Sequence, residues 1–268
     1  MNLQQFYEGI QLDTHARQII DQYQMDDSLY LSYKQHFYND RQAFFERVKQ
    51  VEGFRQLFLY LFVKLSVDAY EEYQLRGIED HIYFDTFSDI QLWCMNCLRD
   101  FGEYGIEECH WLQEHVQLRL FKLGRLQFQP YAIDRDVELN SKKISKNQVV
   151  LNVHIPAGEP LDLQKVEESF DQASRFFRGI NPVFICYSWL LYPKLSDILS
   201  SSSNILRFQH IFHVDKVDHD VRDAERFIFN KTLAEPQQYA EHTSLQRNAK
   251  AYLMAGNKLG NGYGIKIL

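Results

Sequence analysis

The chain has 268 residues, 45% of them hydrophobic and 15% aromatic, which is enough for one large domain or two modest ones around packed cores. A formal charge of -7 repels polyanions, and the first two-thirds of the chain show no basic patch to overcome it, so no nucleic-acid partner is expected. The N-terminus has no signal-like leader, the longest apolar run (Leu57 to Val63) is far short of the roughly 20 residues of a bilayer span, and four scattered cysteines make no disulfide scaffold; together these predict a cytoplasmic protein with no membrane partner.

From Phe44 the apolar positions Phe44, Phe45, Val48, Val51, Phe54, Leu57, Phe58 and Leu61 step by threes and fours, predicting one helix buried along a wide face and closed by Gly77. Asp85 or Thr86 then suits an N-cap for a helix striped by Ile90, Trp93 and Leu98, and another helix follows Gly105 with Trp111, His115 and Leu118. The first 120 or so residues therefore read as all helical. The character changes after that. Alternation of Leu126 and Phe128 with Arg125, Gln127 and Gln129 predicts a half-buried strand, and so does that of Val149, Leu151, Val153 and Ile155 with Asn152 and His154. The polar link between them, DRDVELNSKKISKNQ, reads as a solvated hairpin connection.

Leu163, Val166, Phe170, Ala173 and Phe177 mark a helix with Pro160 in its first turn and Gly179 at its end. Val183 to Leu191 is continuously apolar, as in a central strand covered on both faces. A short helix in LYPKLSDIL, a strand in QHIFHV, a helical AERFIFN, a helix in SLQRNAKAYLMAG and a glycine-rich last strand complete the order β-β-α-β-α-β-α-β. Such alternation argues an α/β sheet domain appended to a helical one, with the boundary at 121/122: residues 1–121 and 122–268.

Several motifs carry candidate chemistry. In VHIPAGEPLD a strand ending in His154 meets a turn with Gly158 and a helix start, where unpaired N–H groups and a positive dipole end suit phosphate. The same arrangement serves a plain turn. Cys94 and Cys97 form one C-x-x-C without the second pair that structural zinc needs, and His110, Glu114 and His115 match no zinc-protease spacing, so no metal is expected. HVDKVDHD, from His213 to Asp220, collects three carboxylates and two imidazoles and reads as a solvated loop rather than a cation site. Cys186 and Ser188 lack a nucleophile elbow; a hydrolase would need the Cys186 thiol beside His210 or His154. After Glu241 there is no acid, and Lys258 sits among glycines where an anion is welcome.

The blocks YFDTFSDI, WLQEHVQLRLFKLGRLQF, NVHIPAGEPLD, SWLLYPKLSDIL and SSNILRF together resemble bacterial acyltransferase-domain proteins, in which a helical N-terminal acyltransferase domain joins a C-terminal GNAT-like domain. The resemblance runs from Phe45 to the last strand. It implies an α+β or α/β fold, all-helical and then a GNAT-like mixed sheet with flanking helices, and an acyltransferase that moves an acyl group from acetyl-CoA or another acyl-CoA to a small-molecule or amine acceptor. The usual Q/R-x-x-G-x-G/A phosphate loop of that fold is absent here.

On that resemblance, His154 is the candidate base and Glu159 its alternative, acting through water. The segment holding Ile155, Ala157, Gly158 and Leu161 would meet the coenzyme's pyrophosphate, with Lys258 as a further anion contact. Tyr192 stands where a tyrosine often protonates the departing thiolate. The alternative is a non-catalytic small-molecule-binding or scaffolding protein on a degenerate GNAT sheet, which the missing phosphate-loop residues favour.

Overall fold

A computed structural model of the chain describes residues 1–139 and 141–268. It divides into two compact units, one of residues 1–123 with 156–158 and one of 124–155 with 159–268.

The first unit comprises α1 (Leu3–Gly9), α2 (Thr14–Gln22), α3 (Asp27–Asn39), α4 (Arg41–Lys49), α5 (Phe54–Leu75), α6 (Asp80–Phe87), α7 (Asp89–Phe101), α8 (Cys109–Val116) and the short strand β1 (Phe121–Leu123). Aspartates start three of the helices: the carboxylates of Asp13, Asp26 and Asp40 each accept a backbone N–H of the first turn of α2, α3 or α4. The expected single helix from Phe44 is two helices, broken between Lys49 and Phe54. Its apolar period runs through the break because α4 and α5 turn their phenylalanines into one core, where Phe44 and Phe62 both meet Phe37 edge to face at 5.3 and 6.2 Å. The run Leu57 to Val63 is buried on all sides within α5. No helix among the described residues is long and apolar enough to cross a membrane.

The expected N-cap at Asp85 or Thr86 is also displaced. Both residues lie inside α6, and Thr86 is buried with its Oγ1 accepting the Lys122 N–H at 2.9 Å. In α8, His115 is fully buried and its Nε2 pairs with the Asp89 carboxylate at 3.0 Å, while Trp111 donates its indole N–H to the same oxygen at 2.8 Å. That histidine is a packed, hydrogen-bonded element of the helical core.

The second unit holds β2 (Leu126–Ala132), β3 (Val137–Leu139), β4 (Lys142–Ile144), β5 (Val149–His154), α9 (Leu163–Phe176), β6 (Val183–Ser188), α10 (Asn204–Gln209), β7 (His213–Asp218), α11 (Asp223–Phe229), α12 (Ser244–Met254) and β8 (Asn261–Ile267). Its main strands run β2-β5-β6-β8-β7; β5 and β6 are parallel and the other pairs antiparallel. One face is covered by α9, whose Phe170 packs edge to face on Phe128 of β2 at 5.8 Å and Phe184 of β6 at 4.8 Å. Each such buried phenylalanine stabilises the unit by about 1.5–3 kcal/mol.

Four differences from the sequence reading matter here. The link 133–148 is not merely solvated: Ile133, Val137 and Ile144 are buried with Val150, Ile185 and Ile265 of the sheet, so the β3–β4 hairpin roofs the second face. The apolar run after Val183 is strand only to Ser188, and Trp189–Leu191 and Pro193–Asp197 are 3-10 turns rather than strand and α-helix. QHIFHV is not one strand, because α10 takes its first residue. HVDKVDHD is not a loop: His213–Asp218 is the edge strand β7, paired along β8 with an irregularity between Val214 and Lys216.

Candidate active site

The two parallel strands β5 and β6 are paired over only two positions, Leu151 with Phe184 and Asn152 with Ile185. On their outer sides the same strands are paired over six positions each, with β2 and β8. Toward their C-terminal ends the ladder between them is therefore open from Val153 and Cys186 onward. A split between parallel strands exposes two strand edges to any extended, amide-bearing chain that can lie between them.

Side-chain alternation decides what surrounds the opening. Val153, Phe184 and Cys186 face α9, whereas Asn152, His154, Ile185 and Tyr187 face the other way, beside Gln127 and Gln129 of β2, which stand opposite His154 and Asn152. The His154 Nε2 lies 3.2 Å from the Asn152 amide nitrogen and 3.3 Å from Gln129 Oε1. The imidazole is half-buried and held at the lip of the split by two amide side chains. If the β5–β6 register continued past its last pair, His154 would stand beside Tyr187.

Beyond His154 the chain bends. Ile155 and Leu161 are half-buried; Ala157, Gly158 and Glu159 are exposed. Gly158 has φ +96 with nothing within 4 Å of a would-be Cβ, so the glycine serves backbone conformation and not close packing. The helix does not begin at Pro160. It begins at Leu163, and Asp162 is the N-cap, its carboxylate accepting the Lys165 N–H at 3.1 Å. The positive end of α9 thus already carries an anion of its own. Asp162→Ala is expected to cost about 1 kcal/mol of stability, read as a shifted denaturant midpoint, because one first-turn N–H loses its partner.

A residue the sequence did not single out fixes this turn. Arg125, only 4% exposed, donates from Nε to the Pro160 carbonyl at 3.0 Å and from its terminal nitrogen to the Glu159 carbonyl at 2.7 Å. Its own backbone N–H donates to Ser169 Oγ of α9 at 2.8 Å. Burial lowers its pKa from the ordinary guanidinium value. The strand alternation places it on the polar side, and nothing in its spacing signals that a buried guanidinium would grip two carbonyls 34 and 35 residues downstream.

Tyr192 and Lys258 form a separate grouping. Tyr192 is 3% exposed among the residues of α10 to α12, and it donates its hydroxyl to the Lys258 carbonyl at 2.9 Å, with the Tyr252 hydroxyl 3.4 Å away. Burial, with Tyr252 next, pushes its pKa up. The tyrosine that a continued β5–β6 register would bring beside His154 is Tyr187, five residues earlier, and it is 44% exposed. Cys186 is fully buried on the α9 face, and burial alone raises its pKa. A thiol hydrolase would need that thiol beside His154, which stands on the opposite face, or beside His210, which is exposed while Cys186 is fully buried. Cys94 and Cys97 are likewise buried, their thiols pushed up to about 11 and about 12 chiefly by burial.

The chain thus joins a helical unit to a mixed sheet whose one parallel pair comes apart beside His154. Residues 1–118 match the model of the N-acyltransferase N-terminal domain and residues 120–266 that of the GNAT-like C-terminal domain; the chain belongs to this family. Among curated proteins none matches. Similar solved structures include an acyltransferase in complex with decanoyl-CoA and teicoplanin (20% identity, TM-score 0.76, covering 98% of this chain and 86% of that one). A mutant acyltransferase in complex with octanoyl-CoA is similar at 20% identity and TM-score 0.77, covering 99% and 87%. An acyltransferase bound to CoA and 10C-teicoplanin gives the same figures. These likenesses establish the shared fold.

Proposed function

We propose that the protein transfers an acyl group from an acyl-CoA thioester to the amine of a small-molecule acceptor, with the split between β5 and β6 as the seat of the thioester. The single observation that carries this reading is the contrast between two paired positions inside the split and six on either outer side. The pantetheine arm of coenzyme A is an extended chain with two amides, which suits two open strand edges. The solved relatives were captured with octanoyl-CoA and decanoyl-CoA, so medium-chain acyl-CoA is the donor to try first. Family membership supports the reaction class.

His154 takes the proton of the attacking amine as the C–N bond forms, and the thiolate takes a proton as the C–S bond breaks. Asn152 and Gln129 fix the ring for that step. Backbone N–H groups near the split polarise the carbonyl. Ala157 and Gly158 offer exposed backbone to the pyrophosphate, and Glu159, exposed beside them, is the second base through water. The four cysteines carry free, buried thiols, which suits the cytoplasm, where acyl-CoA is at hand.

Asp162 at the α9 terminus favours the competing reading, a non-catalytic sheet with a weakened phosphate grip. Calorimetry with acetyl-, octanoyl- and decanoyl-CoA decides between them. Binding of at least one is expected, tighter in Asp162→Ala because one negative charge is removed from the helix end. No heat with any of the three removes the transferase reading.

A further inference from the structure

From Ile155 to Asp162 the turn after β5 carries two carboxylates, Glu159 and Asp162, and no basic side chain. A diphosphate brought to it would meet like charge, so a compensating positive charge has to come from another part of the fold. Arg125, immediately before β2, is placed to be that charge: its guanidinium is buried against the backbone of Glu159 and Pro160. Burial lowers its pKa and the Glu159 carboxylate opposes that change. A guanidinium stays ionised throughout the physiological range.

The same residue ties down both ends of the segment that opens α9. Its guanidinium holds the two carbonyls, and its backbone N–H holds Ser169 Oγ, which in turn donates to the Lys165 carbonyl at 2.8 Å. The described peptide bonds are all trans, and in a trans peptide the carbonyl and the N–H point in opposite directions. Holding the Pro160 carbonyl against Arg125 therefore aims the Leu161 N–H away from the guanidinium. That N–H meets no backbone acceptor among the described residues. In the first turn of α9, Asp162 takes the Lys165 N–H and leaves those of Leu163 and Gln164 beside it.

We propose that Arg125 is the positioning residue of the pyrophosphate turn: from behind, it supplies the positive charge that the turn lacks, and by gripping two carbonyls it keeps the Leu161 N–H turned toward the coenzyme's phosphates. The inference rests on the acyl-transfer reading and adds to it the residue that lets an acidic turn accept a diphosphate. A clamp that only held the fold together would serve every thioester alike. This one serves donors that carry phosphate.

The test compares octanoyl-CoA with octanoyl-pantetheine, a thioester of the same acyl group without pyrophosphate or nucleotide, by calorimetry on the full chain. The wild type is expected to bind octanoyl-CoA more tightly. Arg125→Met, which keeps an unbranched stem and removes the charge and its donors, should weaken octanoyl-CoA about tenfold or more and leave octanoyl-pantetheine within about twofold. Arg125→Lys, which keeps the charge but not the planar fork, should lose only part of that affinity. Should Arg125→Met not fold, Arg125→Lys carries the test alone, with octanoyl-CoA weakened several-fold and octanoyl-pantetheine unmoved. Equal losses for the two thioesters would leave Arg125 a structural role and overturn the proposal. Unchanged octanoyl-CoA affinity in the variants overturns it too, as does a wild type that binds octanoyl-CoA no more tightly than octanoyl-pantetheine. Failure of the acyl-transfer reading shows separately, as a wild type that binds neither thioester.

Discussion

Replacing His154 with Gln is expected to slow acyl transfer from octanoyl-CoA to an amine by roughly 10²- to 10⁴-fold, the range for loss of a general base. Glutamine can still bond to Asn152 and Gln129, the two side chains that lie 3.2 and 3.3 Å from the imidazole, so the unfolding midpoint should barely move. Octanoyl-CoA affinity, which depends on strand edges and not on the imidazole, should stay within about twofold; a larger change would mean ground-state binding had been removed. The pH profile separates a base from a positioning role, because the variant should lose the limb governed by an ionising imidazole. Unchanged turnover with an unchanged profile would assign proton removal elsewhere, and Glu159→Gln, on the exposed turn that follows His154, would be the next variant to make.

How much of this was legible in the sequence follows from the range over which each signal acts. The helix α9 and the strands β2 and β5 announce themselves by local alternation, and the structure keeps Val166, Phe170 and Ala173 on one buried face as the period requires. The break between α4 and α5 was hidden because two helices packed on one core keep one phase of apolar residues across their joint. The hairpin over the second face was hidden for the opposite reason: three buried residues, Ile133, Val137 and Ile144, are diluted by lysines and aspartates that point to solvent. The Val153–Asp162 turn falls where the alternation and its prolines predict, but the helix begins three residues after Pro160, because Asp162 suits a cap and its carboxylate prevails. The split itself could not be read from one stretch, because it is a relation between strands about 30 residues apart, and neither Arg125 nor Tyr187 gains meaning until that relation is known.

The glycine-rich end shows the same dependence on distant partners and gives the largest stability effect. By sequence, GNGYG competes between a turn at Asn261-Gly262 and a strand. The structure makes it β8, paired on both sides with β6 and β7. Gly262 and Gly264 lie on one face of that strand, and the 3-10 turn Trp189–Leu191 is laid directly against them. A Cβ at Gly262 would come within 2.2 Å of the Leu191 carbonyl oxygen and 2.6 Å of its carbon. These are backbone atoms, so no rotamer relieves the contact. The turn cannot step back cheaply, since Leu191 is fully buried and Gln209 donates its amide to the Tyr192 carbonyl at 2.7 Å. Gly262→Ala is therefore expected to cost about 3 kcal/mol or more, at or beyond the usual limit for overpacking, seen as a large fall in the urea midpoint or as insoluble protein. Gly158→Ala provides the contrast: it has open space around it and only the positive φ to pay, about 1–2 kcal/mol. If Gly262→Ala were as mild as Gly158→Ala, the turn would not be seated on β8 as described. The hydrogen bond from the Tyr187 hydroxyl to Asp218 would then lose its support too, because Gly262 pairs with Ser188 and Val217, their immediate neighbours.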